Sequence, residues 1–293
     1  MEKIGALAAL LLATLILAGG FIAARYYFEE GGTPEDVTIL RYGTAAVFLS
    51  PIAIGATRKV GVIRCVALSF AGGASFGGLI FLGMTGAPIA HGSAIVPGLG
   101  LIVGTLGGAL LLNERLTSLR WTGLAVGLAG IGVLVGPGLV SAGDAAWWAE
   151  LCYILAGLFW AAFTVMLKKW QVHPLQGAAI ASVFSIPLLL GITISGEINI
   201  ASVAIGASLI QAFYQGAVFA IGGIVLYTYA VAKLGAGLSV AAMPLLPFFA
   251  TLMDWALFDG PITKSIMIAF GLIMVCGVLL VFSARLAKVA DVA

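Results

Sequence analysis

The chain alternates long apolar runs with short polar breaks, and the length of the runs decides its class. A bilayer core of about 30 Å takes about 20 apolar residues when a helix spans it. Runs of that length predict ten helices, over 4–25, 37–57, 61–85, 88–112, 117–136, 145–168, 174–195, 205–232, 236–258 and 263–285. Strands are disfavoured, because the runs are too long and backbone groups facing lipid must be paired internally. The expected fold class is all-α: a polytopic membrane protein of ten transmembrane helices, with the lipid bilayer as its surroundings.

The pattern also repeats. From Ala87 to Val135, two apolar stretches flank the charged turn Asn113-Glu114-Arg115-Leu116-Thr117. A weaker version runs from Ala236 to Phe282 around Asp259-Gly260-Pro261. Glu114 and Asp259 stand 145 residues apart, as do Gly132 and Gly277, while Pro97 and Pro244 are 147 apart. Pro51 and Pro187 are a looser echo. This period divides the 293 residues into a first five-helix repeat, 1–140, and a second, 141–293. Five is odd, so the second repeat enters the membrane from the opposite side. The repeats are then inverted, related by a pseudo-two-fold axis in the membrane plane, an arrangement typical of transporters.

Composition agrees. The chain is 62% hydrophobic and 9% charged, with a mean hydropathy of +1.17, against about 25% charged residues in soluble domains. A net charge of +2 without a large basic patch argues against a nucleic-acid partner. Cys65, Cys152 and Cys276 are scattered and read as apolar fillers, so neither a disulfide nor a metal site is expected. The first apolar run, Ile4 to about Ala24, exceeds the ~7–15 residues of a signal-peptide core and lacks a cleavage pattern, so it is read as a retained helix. With the N-terminus inside, Lys3, Arg58, Lys59, Arg64, Arg115, Arg120, Lys168, Lys169, Lys233, Arg285 and Lys288 fall on the cytoplasmic side, and only Arg25, Arg41 and Lys264 outside. That bias favours both termini in the cytoplasm.

The ten helices, the two repeats, the Asn-Glu-Arg-Leu-Thr turn at 113–117, the Trp-x-Gly-x8-Gly-Val run after it and the Arg41-Tyr42 pair together resemble the drug/metabolite transporter superfamily, EamA type. Within it the chain looks most like the YddG-type amino-acid exporters of bacteria. Asp259-Gly260-Pro261 departs from the pattern, standing where many members keep a second Glu. The resemblance implies a basket of helices around a central cavity. The third, fourth, eighth and ninth helices would line it, helped by the first and sixth. It also implies a bacterial inner-membrane location and outward transport.

Candidate residues follow from helical spacing. Gly73, Phe76, Ile80 and Met84 share a face of the third helix. Tyr153, Gly157, Trp160 and Thr164 share one on the sixth, and Gln211, Tyr214, Gln215 and Val218 one on the eighth. Ser239, Met243, Leu246, Ala250 and Asp254 do so on the ninth. From these faces Phe76, Ile80, Trp160, Gln211, Tyr214 and Gln215, with His91, are the expected substrate-binding set. Each aromatic could equally be core packing or lipid contact. Pro97 and Pro244 are candidate hinges, since proline removes a backbone bond and kinks its helix; passive kinks are the plainer reading. His91, Glu150 and Asp254 lie about one turn from the outer ends of their helices, at a depth shared by Arg25 and Arg41. Intramembrane ionisable groups are functional candidates, and Glu150 and Asp254 are assigned to a gate or to proton coupling, with structural ion pairs as the alternative. Small-residue ladders such as Gly100, Gly104 and Gly108 allow close helix packing.

No Lys or Arg falls near the middle of a predicted helix, which argues against phosphate or nucleotide-sugar substrates. The expected substrate is a small amino acid, neutral and apolar or aromatic. Nucleosides, cationic drugs and a passive channel stay open as alternatives. HExxH, Gly-x-Gly-Asp and Gly-x-Ser-x-Gly motifs are absent, as is GxxxxGK[ST], so neither an enzyme nor an ATP-driven pump is expected, and no cofactor.

Overall fold

The computed structural model describes residues 2–112, 117–140, 146–234, 242 and 244–290, with the side chains of 108–112, 137–140, 146 and 284–290 left aside. Among the described residues every regular element is helical. Nine helical spans are long and apolar enough to cross a membrane, and Leu245–Phe258 is a shorter apolar helix. These ten segments match the ten runs of the sequence. The Glu114-Arg115 turn, Asp144, Ser239 and Met243 lie outside the described residues.

Helix α1, Glu2–Glu29, runs past its apolar stretch; Arg25 Nε bonds Glu29 Oε1 at 2.7 Å one turn on, an i,i+4 pair that extends the helix. Helix α2, Pro34–Val60, opens on a capping box. Thr33 Oγ1 accepts from Asp36 N, and Asp36 Oδ2 accepts from Thr33 N. It ends at Gly61, where φ of 87° suits a residue without a Cβ. The third span is two helices, α3 (Val62–Gly72) and α4 (Ala74–Met84), broken at Gly73. Then come α5 (Ile89–Leu112), α6 (Ser118–Val140) and α7 (Ala146–Lys169). The seventh span is also broken, into α8 (Pro174–Val183) and α9 (Ile186–Ser195). The eighth is continuous but changes pitch: α10 (Ile205–Phe213), a π-helical run Tyr214–Gly223, then α11 (Ile224–Leu234). Helices α12 (Leu245–Phe258) and α13 (Lys264–Ala290) complete the chain. Asp259, at φ 52°, stops α12, and Gly260 N donates back to Asp254 O at 3.2 Å.

The pairing of helices carries the symmetry. The second span packs on the seventh, the fifth on the tenth and the fourth on the ninth. The first packs on the eighth as the third packs on the sixth, and the fourth on the sixth as the ninth on the first. Exchanging each helix of one five with its counterpart in the other leaves this set of pairs unchanged, as a two-fold axis between the halves requires.

The two ends differ in charge. At one, the loop after α1 is tied to the loop before α10: Asn199 N donates to Asp36 Oδ1 at 3.0 Å and Thr33 Oγ1 to Glu197 O at 2.8 Å. Glu29, Glu35, Asp36 and Glu197 gather at this acidic end. At the basic end Lys233 reaches Glu2 at 3.6 Å and the Arg64 guanidinium lies 5.6 Å from the centre of the Trp170 ring.

Candidate functional site

The expected binding residues fall into separate groups. Phe76 on α4 and Trp160 on α7 stack, with ring centroids 5.4 Å apart and planes at 24°. Trp160 lies over Gly100 of α5, where a Cβ would meet its Cδ1 at 2.7 Å. Glycine therefore lets the indole lie flat across the third, fourth and sixth spans. Phe76 and Ile80 are buried, whereas Trp160 keeps 36% of its surface exposed. It also touches Phe163, at 5.6 Å.

Toward the acidic end, His91 Nδ1 is bonded to Glu150 Oε1, joining α5 to α7. Glu150 is buried, and its other carboxylate oxygen, Oε2, has no partner. Beneath it the buried Tyr153 packs on Gly83 and Gly92 and donates to Ala87 O at 3.3 Å. Asp254, on α12, does not join the His91–Glu150 pair. Its Oδ2 would stand 2.0 Å from a Cβ on Gly260, and Arg25 and Glu29 lie within electrostatic range. Asp254 Oδ1 is also buried without a partner, as is Thr251 Oγ1 one turn away. Tyr153 lies within electrostatic range of both Glu150 and Asp254. Among the described residues no three His, Cys, Asp or Glu side chains come together closely enough to hold a metal ion.

The glutamine face of the eighth span packs on the first and second. Gln215 Nε2 donates to Gly20 O at 2.7 Å, and its Oε1 accepts from Arg41 Nη1 at 3.4 Å. Tyr214 donates to Ile16 O at 3.0 Å, and Ser208 Oγ lies 3.3 Å from Tyr27 Oη. Gln211, on the same face, is buried with both amide atoms unpartnered. Arg41 is half-buried, its guanidinium 4.1 Å from the Phe219 ring centre, 5.2 Å from Tyr42 and 5.8 Å from Phe81. A groove of about 460 Å³ flanks this seam, lined by Gly19, Ile22, Ala23, Tyr26, Ile210, Tyr214, Leu257 and Phe258.

Of the two candidate hinges, Pro97 stands inside α5, which continues on both sides. Pro244 caps the start of α12 and packs on Gly277, where a Cβ would meet its Cγ at 3.3 Å. The visible interruptions lie elsewhere, at Gly73 and at Phe184–Ser185, and they meet each other. Ala74 N–H, freed by the break, donates to Ser185 Oγ at 2.8 Å, and the freed Phe70 carbonyl accepts from Ser75 Oγ. Ser185 Oγ also donates to Ala181 O at 2.7 Å and lies 3.1 Å from Ser69 Oγ. The sequence carried a signal for this junction in Gly72-Gly73 and in Pro187, but nothing in it paired the two.

These features define a class: an all-helical, two-repeat membrane protein with polar side chains buried between its halves. The chain belongs to the EamA-like transporter family, whose domain matches it twice, over residues 3–136 and 147–283. A solved structure titled "Crystal structure of protein" shares its fold with a TM-score of 0.60 and 22% identity, covering 95% of this chain and 98% of that one. Among curated proteins, none matches this sequence. The family makes the chain a multi-pass membrane transporter of small molecules.

Proposed function

We propose that the protein exports neutral amino acids, apolar or aromatic ones foremost, across a bacterial cytoplasmic membrane by alternating access between its two repeats. The observation that carries this reading is the Phe76–Trp160 stack with an exposed indole edge. Against such a wall an apolar side chain gains about 1.5–3 kcal/mol on burial, and a ring pair adds roughly 0.5–1.5 kcal/mol. The partner is a small-molecule substrate, with Ile80 behind the wall and His91 toward the acidic end. The buried Glu150 and Asp254 disfavour a second carboxylate, so Asp and Glu are excluded. They also serve as latch groups that part when the repeats rock, while Pro97 and Pro244 let their helices flex. Both termini lie in the cytoplasm. A second reading, export of organic cations, is favoured by the unpartnered Glu150 Oε2 and Asp254 Oδ1.

Counterflow of labelled amino acids, nucleosides and cationic drugs in proteoliposomes tests the assignment. Phe, Met, Leu and Thr should exchange and Asp and Glu should not. Trp160→Ala should weaken Phe more than Thr, by about tenfold if one ring contact is lost. Equal losses for the two would make Trp160 a packing residue. Exchange of a cationic drug without any amino acid would establish the second reading.

A further inference from the structure

Among the described residues Arg41 is a cation without an anion. It lies seven residues inside α2, roughly 10 Å from the capped end. Among the described residues no carboxylate stands within ion-pair distance of it. The nearest acid on its own helix, Asp36, is fully engaged by Thr33 N and Asn199 N. The guanidinium offers five N–H donors, and a single bond uses one of them, the 3.4 Å contact to Gln215 Oε1. Its other support is the three aromatic rings, which stabilise the charge through their faces and leave the edge of the fork unused. An ionised side chain at this depth needs a counter-charge or a function.

A second observation is independent. Gln211 is 1% exposed, and neither its amide nitrogen nor its oxygen has a partner. Buried carboxamides without any bond are rare and call for an explanation. Gln211 stands one turn before Gln215 on the same helix face, and residues four apart are neighbours. Gln211 is therefore the neighbour, one turn along, of the residue that already holds Arg41. The two halves of the molecule meet here, α2 from the first and the eighth span from the second.

We propose that Arg41, with the Gln211 carboxamide beside it, receives the carboxylate of the transported solute. The guanidinium fork matches two carboxylate oxygens in one plane. Tyr42, Phe81 and Phe219 set the fork's plane and exclude water from it. The proposal rests on the amino-acid reading above and adds the group by which the substrate's backbone is recognised. The neutral-side-chain preference stands beside it, because one arginine satisfies one carboxylate. A carboxylate held here bridges α2 and the eighth span, so loaded and empty carriers differ at the contact between the repeats.

The test compares phenylalanine, phenylalaninamide and 3-phenylpropanoate in proteoliposomes of the full chain and as thermal stabilisers of the detergent-solubilised protein. The wild type should exchange phenylalanine about 10- to 100-fold better than phenylalaninamide, the range for losing charge-assisted hydrogen bonds. Arg41→Gln should erase that ratio, and Gln211→Leu should narrow it several-fold. If Arg41→Gln does not fold, Gln211→Leu carries the readout. An unchanged ratio in the folded variant, or equal exchange of acid and amide by the wild type, overturns the proposal while the amino-acid function stands. If the wild type exchanges no amino acid, that function falls. Stabilisation by 3-phenylpropanoate that Arg41→Gln abolishes then still supports the carboxylate receptor. No stabilisation, or the same from chloride, overturns it.

Discussion

The third helix of each repeat departs from α geometry near its middle, and the two do so by different physics. Gly73, in the third span, and Val218, in the eighth, are separated by the 145-residue period of the sequence. At Gly73 the helix is broken outright, and its freed groups are taken up by Ser185 and Ser75. Around Val218 the helix widens into a ten-residue π run and keeps its continuity. A break needs partners from outside, because unpaired backbone groups in a bilayer are strongly disfavoured. A π run rebonds its own backbone and needs none. The first repeat is therefore locked at this level to the seventh span, while the second holds the same level with side chains, Tyr214 and Gln215, reaching α1. Two copies of one design have been relaxed at the same place, one rigidly braced and one self-contained.

The largest expected effect tests the brace. In Gly73→Ala the new Cβ would meet Ser185 Oγ at 2.2 Å, Ser69 O at 2.5 Å and Ala181 O at 2.7 Å. Two of these are backbone atoms that cannot turn aside, so stability should fall by about 3 kcal/mol or more, read as loss of folded yield in detergent. A normally stable variant would mean that the break needs no close approach.

Ser185→Ala comes next. It leaves Ala74 N–H buried and unpaired and should cost about 2 kcal/mol, seen as a lowered thermal unfolding midpoint. An unchanged midpoint would place the brace elsewhere. In the π run, Gly216→Ala meets Thr44 Cβ at 2.5 Å and Ala45 N at 3.1 Å. Thr44 Cβ is fixed by the backbone of α2, so the two helices must move apart, and about 2 kcal/mol is expected. The smallest effect belongs to Gly222→Ala, which meets nothing within 4 Å. It should be neutral or stabilising by up to about 1 kcal/mol, since alanine favours the helix. A stabilised Gly222→Ala that transports more slowly would show that the π run has to move; unchanged transport would make it a static feature.

The sequence alone determined what depends on run length and composition. Ten segments, their order and the two-fold repeat follow from them, because a bilayer admits few ways of placing long apolar stretches; the transporter family came from the resemblance carried by the turn at 113–117 and the Arg41-Tyr42 pair. The π run was not legible, and Gly72-Gly73 marked a weak point in the third span without showing that the helix breaks there. Each depends on what a neighbouring helix offers, and a glycine pair or a Gln–Tyr–Gln face reads the same in a regular helix. The candidate residues show the same division. Spacing selected Phe76 and Trp160 separately, and only packing across Gly100 stacked them. His91 and Glu150 were grouped by depth with Asp254; the first two are bonded, and Asp254 stands against Gly260 with Arg25 in electrostatic range. Arg41 was placed at a helix end among candidate ion pairs. Whether a charge has a partner is decided by helices distant in sequence, and tertiary structure gave this one aromatic faces and a glutamine in place of an acid.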